Sequence, residues 1–352
     1  MRQYSFEDVV ILHDNDRIPL SAMERQKRQG PYRYYGAQGV IDYVDHFLFD
    51  GEYVLIAEDG ENLKSQKQDV AQLVHGKFWV NNHAHIATTT SVCRLRYFYY
   101  LINNKDLSEY ITGSAQPKLS QASMRKMNFS LPNLSTQDKI LRILGPIDDK
   151  IEENERINKN LEAQAQAIYV NTFVTDADSS WPEGKLSDLI EVCYGKDHKK
   201  LNDGDIPVYG SGGIMRHVDQ ALYDQESVLV PRKGTLNNVM YVNEPFWSVD
   251  TMFFTKMKRQ NVAKFVFHFL KGKDLAAMNA GSAVPSMTTK ILDAIPLQIP
   301  DDQTLSTFEA QVSPFYQAVT YNNKESETLA AVRNALLPKL MSGEIDVSDI
   351  DL

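Results

Sequence analysis

Hydrophobic and polar positions follow two different periods along the chain. Over residues 1–132 and 181–300, β-branched and aromatic residues form short runs between Gly, Pro and Asn, which favours strands joined by turns. YVLIAEDG (53–60) and SVLVPRKG (227–234) each predict a buried strand that ends in a loop. Helical stretches intervene, one of them around Tyr97–Ile102. Each region therefore predicts a mixed α+β domain.

After each region the apolar residues recur at steps of three and four, which places one stripe on one face of a helix. The two stripes contain Ile140, Leu144, Ile147, Ile151, Leu161, Ala165 and Ile168, and Phe308, Val312, Phe315, Val319, Leu329, Leu336 and Leu340. Pro146 and Pro314 follow small residues in both, and because proline suits a first helical turn, we expect a long helix to restart at each.

The two halves of the chain are an internal repeat. YGAQGVIDYVDHFLFDGEYVLIAEDG (35–60) matches YGSGGIMRHVDQALYDQESVLVPRKG (209–234) at a shift of 174 residues, and later segments match at a shift of 168. At that second shift Phe78-Trp79 falls on Phe246-Trp247, YFYYLI on FVFHFL, and Pro132 on Pro300. So many matches at one offset indicate a true duplication.

The order of elements predicts the fold class and the domain limits. The fold is α+β, with two tandem target-recognition domains, two long antiparallel coiled-coil spacer helices and a pseudo-twofold repeat. The limits are 1–134 and 181–301 for the recognition domains, 135–175 and 302–342 for the spacer regions, and 343–352 for the tail. Both stripes carry an asparagine, Asn154 and Asn322, which would fix helix register and partner orientation if buried; the alternative is that both are solvated.

A net charge of −9 argues at first against nucleic acid, but the acidity is unevenly distributed. The net charge is 0 for residues 1–132, −4 for 133–180, +1 for 181–300 and −6 for 301–352. The spacer segments thus carry most of the acidity, and the recognition domains are nearly neutral. Two cysteines are too few for a disulfide framework or a four-cysteine zinc site, and they predict buried thiols. Without a leader pattern or a long apolar run, we expect a cytoplasmic protein with no membrane partner.

Two helices of this kind can set a fixed distance along DNA. Residues 146–173 would form a rod of about 42 Å at 1.5 Å per residue, and its ends would stand roughly 12 base pairs apart on DNA. Two nonidentical domains held at such a separation would bind a two-part asymmetric site with an unread gap.

The candidate DNA-contacting residues lie in turn-like basic segments. Side chains that reach base edges or phosphates are chiefly Arg, Lys, Asn, Gln, Ser and Thr. The candidates are Arg25, Lys27, Arg28, Lys64, Lys67, Lys118, Ser120, Lys196, Lys199, Lys200, Arg232 and Lys233. For each basic cluster the alternative is an ordinary solvated loop.

Catalytic motifs are missing from the sequence. The closest approach to the Asn/Asp-Pro-Pro-aromatic motif of an amino-methyltransferase is Asn243-Glu244-Pro245-Phe246, which has the wrong second residue and predicts a turn before a strand. The cluster at 210–213 departs from G-x-G-x-x-G and predicts a tight turn, and no P-loop occurs. His83 and His85 would share a strand face, but their repeat equivalents are Thr251 and Phe253, so a polar-contact role is preferred to a metal site.

The chain resembles the specificity subunits of type I restriction–modification systems over essentially its full length. The resemblance rests on the segment 35–60, on GKFWVNNHAH (76–85), on IDDKIEENERINKNLEAQAQAIY (147–169) and on LLPKLMSGEIDV (336–347). It implies a noncatalytic subunit that reads a split double-stranded DNA site and holds two modification subunits, with restriction subunits joining. S-adenosylmethionine, ATP and Mg are then expected on the partners, with no cofactor on this chain. The alternatives are a duplicated protein-binding scaffold, a metal hydrolase built around His83 and His85, and the specificity half of a related restriction system.

Overall fold

The computed structural model describes residues 1–66, 68–113, 116–278, 286–347 and 350. The chain forms two compact units, one of Met1–Glu153 with Glu325–Leu352 and the other of Asn154–Lys324. We call them unit 1 and unit 2. Each unit combines one recognition domain with parts of both long helices.

Unit 1 is built on a six-stranded sheet with the strand order β2-β7-β5-β6-β3-β4, and a separate pair β1-β8. Its strands are β1 (Arg2–Ser5), β2 (Val10–Leu12), β3 (Tyr32–Gly36), β4 (Gly39–Val44), β5 (Phe49–Ala57), β6 (Ala71–Val80), β7 (Ala84–Thr89) and β8 (Asn128–Leu131). Its short helices are α1 (Phe6–Val9), α2 (Ala22–Gln26), α3 (Asn62–Ser65), α4 (Leu95–Asn103) and α5 (Gln121–Met124). The long helix α6 (Leu134–Val170) begins in this unit.

The core of unit 1 explains the predicted strand and helix. The predicted strand at 53–60 forms most of β5, which is central because β6 and β7 pair with it on its two sides. Helix α4 covers the predicted stretch at 97–102, and its side chains Tyr97 and Phe98 are fully buried beside Phe129. Leu340 and Val347, from the far end of the chain, complete the same cluster.

Unit 2 repeats this plan with smaller sheets, whose orders are β10-β16-β13-β14, β12-β11-β15 and β17-β9. Its strands are β9 (Glu183–Lys185), β10 (Ile190–Tyr194), β11 (Ile206–Gly210), β12 (Gly213–Val218), β13 (Ser227–Pro231), β14 (Met240–Val242), β15 (Trp247–Ser248), β16 (Met252–Met257) and β17 (Pro296–Gln298). Its helices are α7 (Leu186–Leu189), α8 (Ala263–Lys271), α9 (Thr289–Asp293) and the start of the long helix α10 (Asp302–Ser342). The predicted turns at 210–213 and 243–246 lie between β11 and β12 and before β15, which confirms both.

The two units share local details at the offsets of the sequence repeat. In both hairpins the strand register shifts just before the tyrosine of the YG turn. The shift lies between Tyr34 and Tyr35 in unit 1 and between Val208 and Tyr209 in unit 2. Gly39 and Gly213 open the return strands with φ of +128° and +113°, a conformation that side-chain-bearing residues rarely adopt. Helices α4 and α8 begin and end at positions related by the shift of 168.

The expected helix restart at the two prolines is wrong. Helices α6 and α10 run through Pro146 and Pro314 without a break. They begin earlier because side-chain oxygens cap them: Asn133 accepts from the Thr136 N–H at 2.9 Å, and Asp301 accepts from the Thr304 N–H at 2.8 Å.

Buried residues before each proline hold the helix together across it. Ile140 and Leu144 lie in the unit 1 core before Pro146, and Phe308 and Val312 lie in the unit 2 core before Pro314. An interior proline costs about 3 kcal/mol, and burial of each large apolar side chain contributes roughly 1.5–3 kcal/mol. Two such residues are enough to offset one proline.

Parts of α6 and α10 run antiparallel within each unit. In unit 1, Asp148 of α6 accepts from Arg333 of α10 at 2.9 Å, and Lys150 pairs with Glu325 at 3.1 Å. In unit 2, Asn154 donates to the Asn322 carbonyl, and the Tyr169 and Phe308 rings lie 6.2 Å apart. Residue numbers therefore rise on α6 as they fall on α10. None of the helices in the described part of the chain is long and apolar enough to cross a membrane.

Candidate nucleic-acid interface

The basic cluster of unit 2 forms where two strands, β10 and β13, end and a third, β16, begins. Tyr194 is the last residue of β10, and Arg232 and Lys233 directly follow β13. The Arg232 guanidinium lies 5.4 Å from the centre of the Tyr194 ring, and its Nη1 donates to the Asp250 carbonyl at 3.3 Å. Backbone bonds from Arg232 and Lys233 to the Thr251 carbonyl fix this turn. Two predicted candidates thus share one surface.

Lys196 belongs to the same surface. Its backbone N–H donates to Ser248 at 2.9 Å, and its carbonyl accepts from Trp247 Nε1 at 2.9 Å, which positions an exposed side chain. Lys199 and Lys200 follow in an exposed turn in which Asp197 accepts from the Lys199 N–H. All five predicted cations of unit 2 thus lie on turns beside β10 or β13.

The cluster around α2 in unit 1 is less available for DNA than its sequence indicates. Arg25 binds Asp42 at 2.8 Å and packs over the Tyr34 ring, and Arg28 binds Asp45 at 3.0 Å. Both arginines therefore fasten α2 to the neighbouring strand and loop. Lys27, on the same turn, is exposed.

Lys118 and Ser120 also have structural contacts. Lys118 binds Glu58 at 3.1 Å, and Ser120 caps α5 by accepting from the Ser123 N–H at 3.2 Å. Lys64 is exposed at the end of α3 and has contacts of its own. Lys67 lies outside the described residues.

A polar network that the sequence analysis missed surrounds Asp14 in unit 1. Asp14 contacts His85 Nδ1 at 2.5 Å and accepts from Gln121 at 2.5 Å, and Arg17 lies 3.4 Å away. His85 Nε2 donates to the Leu119 carbonyl at 2.7 Å. Burial opposes ionisation of Asp14, but these hydrogen bonds outweigh it and hold the pKa of the carboxyl below its usual value.

The two histidines of the alternative metal reading have separate partners. His83 contacts Asp59 at 2.7 Å on the surface, whereas His85 is buried against Asp14. Across the described ranges, no three His, Cys, Asp or Glu side chains form a group that could hold a metal ion. Both histidines make the polar contacts that were preferred for them.

Glu58 is the unit 1 counterpart of Arg232 at the shift of 174. Burial raises the pKa of its carboxyl. Hydrogen bonds from Lys118 and Arg17 lower that pKa by more than burial raises it, so the net pKa lies below the usual value. The position after the central strand is therefore an ion-paired acid in unit 1 and a ring-stacked arginine in unit 2. An alignment of the two copies shows the change of charge but not the partners, which come from distant parts of the chain.

The asparagines of the two helices meet in unit 2. Asn154 is fully buried and donates to the Asn322 carbonyl at 3.3 Å, while Asn322 donates to Asn158 Oδ1 at 2.8 Å. Asn158 in turn donates to Asn323 at 2.8 Å. The solvated alternative is therefore wrong for Asn154, and the role of the pair in register stays a prediction.

Comparison with known proteins adds the evolutionary context. The family model described as "Type I restriction modification DNA specificity domain" matches residues 2–163 and again residues 178–329. Because one model matches both halves, the duplication inferred from the repeat is confirmed.

Named relatives and a solved structure agree with this match. The chain is 25% identical over 291 residues to a putative type I restriction enzyme specificity subunit of Haemophilus influenzae, covering 75% of this chain and 74% of that one. It is 23% identical over 301 residues to the MjaIX specificity subunit of Methanocaldococcus jannaschii, covering 72% and 70%. The crystal structure of a type I restriction–modification S subunit from M. genitalium aligns over 96% of this chain and 95% of that one, with a TM-score of 0.61 and 17% identity, so the fold is shared.

Proposed function

The chain belongs to the family of type I restriction modification DNA specificity domains, and from this membership we propose how it selects its DNA site. Each of its two copies of the domain binds one half of a split, asymmetric double-stranded sequence. The observation that carries the proposal is the presence of two matches to one DNA specificity model in one chain. The two copies carry different side chains at equivalent turns, as reading two different half-sites requires.

The long helices act in this proposal as coiled-coil spacers that set the unread gap, with the two domains related by a pseudo-twofold axis. The antiparallel contacts between α6 and α10 inside each unit support the spacer role. The offsets of the sequence repeat support the symmetry, because equivalent elements precede both helices. The buried asparagines would then prevent one helix from sliding along the other.

The chain itself performs no chemistry in this proposal. Two modification subunits bind S-adenosylmethionine and methylate adenine, and restriction subunits use ATP and Mg. These partners assemble on the specificity subunit, whose nearly neutral domains leave much of the phosphate contact to them. The missing methyltransferase and P-loop motifs support this division of labour.

Methylation-sensitive sequencing of the host genome tests the proposal. Adenine methylation at one split motif in the wild type, lost when this gene is deleted and restored by complementation, is the expected result. It would identify both half-sites and the gap together. Retention of every methylated motif after deletion would refute the proposal.

A further inference from the structure

Arg232 is the part of the unit 2 surface that is best prepared to recognise a base. Its guanidinium lies over the Tyr194 ring at 5.4 Å, and the Asp250 carbonyl accepts from its Nη1. Stacking on a ring limits the rotamers of an arginine side chain. The five N–H donors of its planar guanidinium remain in their fixed arrangement. A side chain held in this way loses less conformational entropy when it binds.

The ring beneath Arg232 is itself supported by the core. Tyr194 is 53% exposed, so one part of its ring faces solvent. Phe253 is fully buried and meets the Tyr194 ring edge to face, with 5.1 Å between the centroids. The two residues are also register partners in the pair β10–β16. Phe253 in the buried core thus supports the Tyr194 ring, and the Tyr194 ring supports the guanidinium of Arg232.

The same place in unit 1 has opposite chemistry. Glu58 and Asp59 stand where unit 2 has Arg232 and Lys233. His85 of β7 stands where unit 2 has Phe253, and its contact Asp14, in the turn after β2, stands beside it as Tyr194 stands beside Phe253. The strand order around this place, β2-β7-β5 and β10-β16-β13, is the same in both units, yet these four side chains differ. Different side chains on an equivalent set of strands are expected where two copies read different bases.

We infer that Arg232 reads a guanine in the half-site bound by the second recognition domain, by donating two hydrogen bonds to the O6 and N7 atoms of that base. The inference rests on the proposed function, since it needs a DNA site. Arginine bidentate to guanine is the commonest specific contact in the major groove. Lys233 and Lys196, single charges on exposed stems beside it, contact phosphates.

The distinction between a base contact and a phosphate contact gives a sharp test. Arg232→Lys keeps the charge but loses the planar fork, so a base reader loses discrimination whereas a phosphate contact is largely retained. Discrimination for guanine at one position of one half-site should fall by about 5- to 150-fold, the range expected for one bidentate pair. Lys233→Met should instead reduce methylation at all sites without changing base preference.

The measurement is genome-wide adenine methylation in cells that express each variant together with the modification subunit. Arg216→Lys is the matched control, because the guanidinium of Arg216, on β12, is already engaged by Asp203 and by the Leu201 carbonyl. It should leave the base preference unchanged. Thermal melting of each purified complex separates misfolding from altered recognition.

Each outcome decides the matter. Relaxation at a single guanine of one half-site, with the other half-site intact, supports the inference. A uniform loss of methylation in Arg232→Lys, or an unchanged motif, overturns it and leaves the proposed function standing. A wild-type strain without a methylated split motif would overturn the proposed function, and this inference with it.

Discussion

Replacing Lys264 should destabilise unit 2 more than any exposed ion pair would. Lys264 is 4% exposed, and its ammonium donates to Glu309 at 2.6 Å and to Glu226 at 2.8 Å. Helix α8 carries the lysine and α10 carries Glu309, so the contact fastens the recognition domain to the long helix. Removing one partner of a buried pair leaves an uncompensated charge and costs about 3–5 kcal/mol. We expect Lys264→Met to lower the free energy of unfolding of unit 2 by this amount.

Hydrogen exchange measured by mass spectrometry can resolve the effect by segment. The opening free energy of α8 reports on unit 2, and that of α4 serves as the reference in unit 1. The repeat also provides a matched variant, because Arg96 occupies the equivalent position and binds Asp149 at 2.8 Å. Asp149 is 64% exposed, and Arg96 also donates to the Gly145 carbonyl at 3.0 Å, so Arg96→Met should cost about 2 kcal/mol, less than Lys264→Met.

A double variant separates the ion pair from simple loss of packing. Lys264→Met with Glu309→Leu removes the lysine and the less exposed of its two carboxylates, leaving Glu226 nearer to solvent, and replacement of buried charges by apolar residues is often neutral. The double variant should recover at least half of the loss seen in the single variant. Two results would refute the reasoning: a loss below about 1 kcal/mol in Lys264→Met, or a double variant no more stable than the single one.

Three further predictions follow from the buried groups and the helices. Burial, with a smaller effect from nearby Lys271, lowers the pKa of His268 to about 4. Protonation therefore favours the unfolded state, so the free energy of unfolding keeps its full value above about pH 6.5 and falls by about 3 kcal/mol as the pH drops towards 4. Denaturant melts from pH 7 to 4.5 should show this slope, and His268→Gln should lack it. Iodoacetamide at pH 8 should modify Cys193 faster than Cys93, because Cys193 is only partly buried whereas burial raises the pKa of the Cys93 thiol to about 12. Mass spectrometry measures the modification of each residue, with Cys193→Ser as the control, and faster modification of Cys93 would contradict the prediction. Inserting seven helical residues in each long helix, at residues 154 and 322, should lengthen each helix by about 10 Å. The gap in the methylated motif should then widen by roughly three base pairs. An unchanged gap would contradict the spacer role.

Local patterns in the sequence predicted one buried strand in each domain and the two long helices. The apolar run at 53–60 became the centre of a sheet, and the stripes of apolar residues became α6 and α10. Such features depend on residues that are close together in the sequence, and each of these features occurs in both copies of the repeat. The predicted helix restart at the two prolines was wrong. The cap residues and the buried side chains before each proline outweigh the one hydrogen bond that the proline removes.

The candidate site was less predictable because its geometry depends on distant partners. Arg25 and Lys196 look alike as basic turn residues, yet Arg25 is held by Asp42, 17 residues away, whereas the side chain of Lys196 is exposed. The ring of Tyr194 approaches Arg232 only because β10 and β13 both flank β16. Charge and composition selected the candidate loops, and strand pairing determines which other side chains lie beside them.

The division of both long helices between the two units has a consequence for biosynthesis. Leu340 and Val347 are buried with Phe129 in the core of unit 1, about 190 residues after the rest of that unit's chain ends at Glu153. At a translation rate of roughly 5–20 residues per second, the ribosome needs on the order of 10–40 s to supply them. During that interval the first domain exposes apolar surface that the finished protein covers. The nascent chain is therefore open to aggregation for longer than its domain size alone would require.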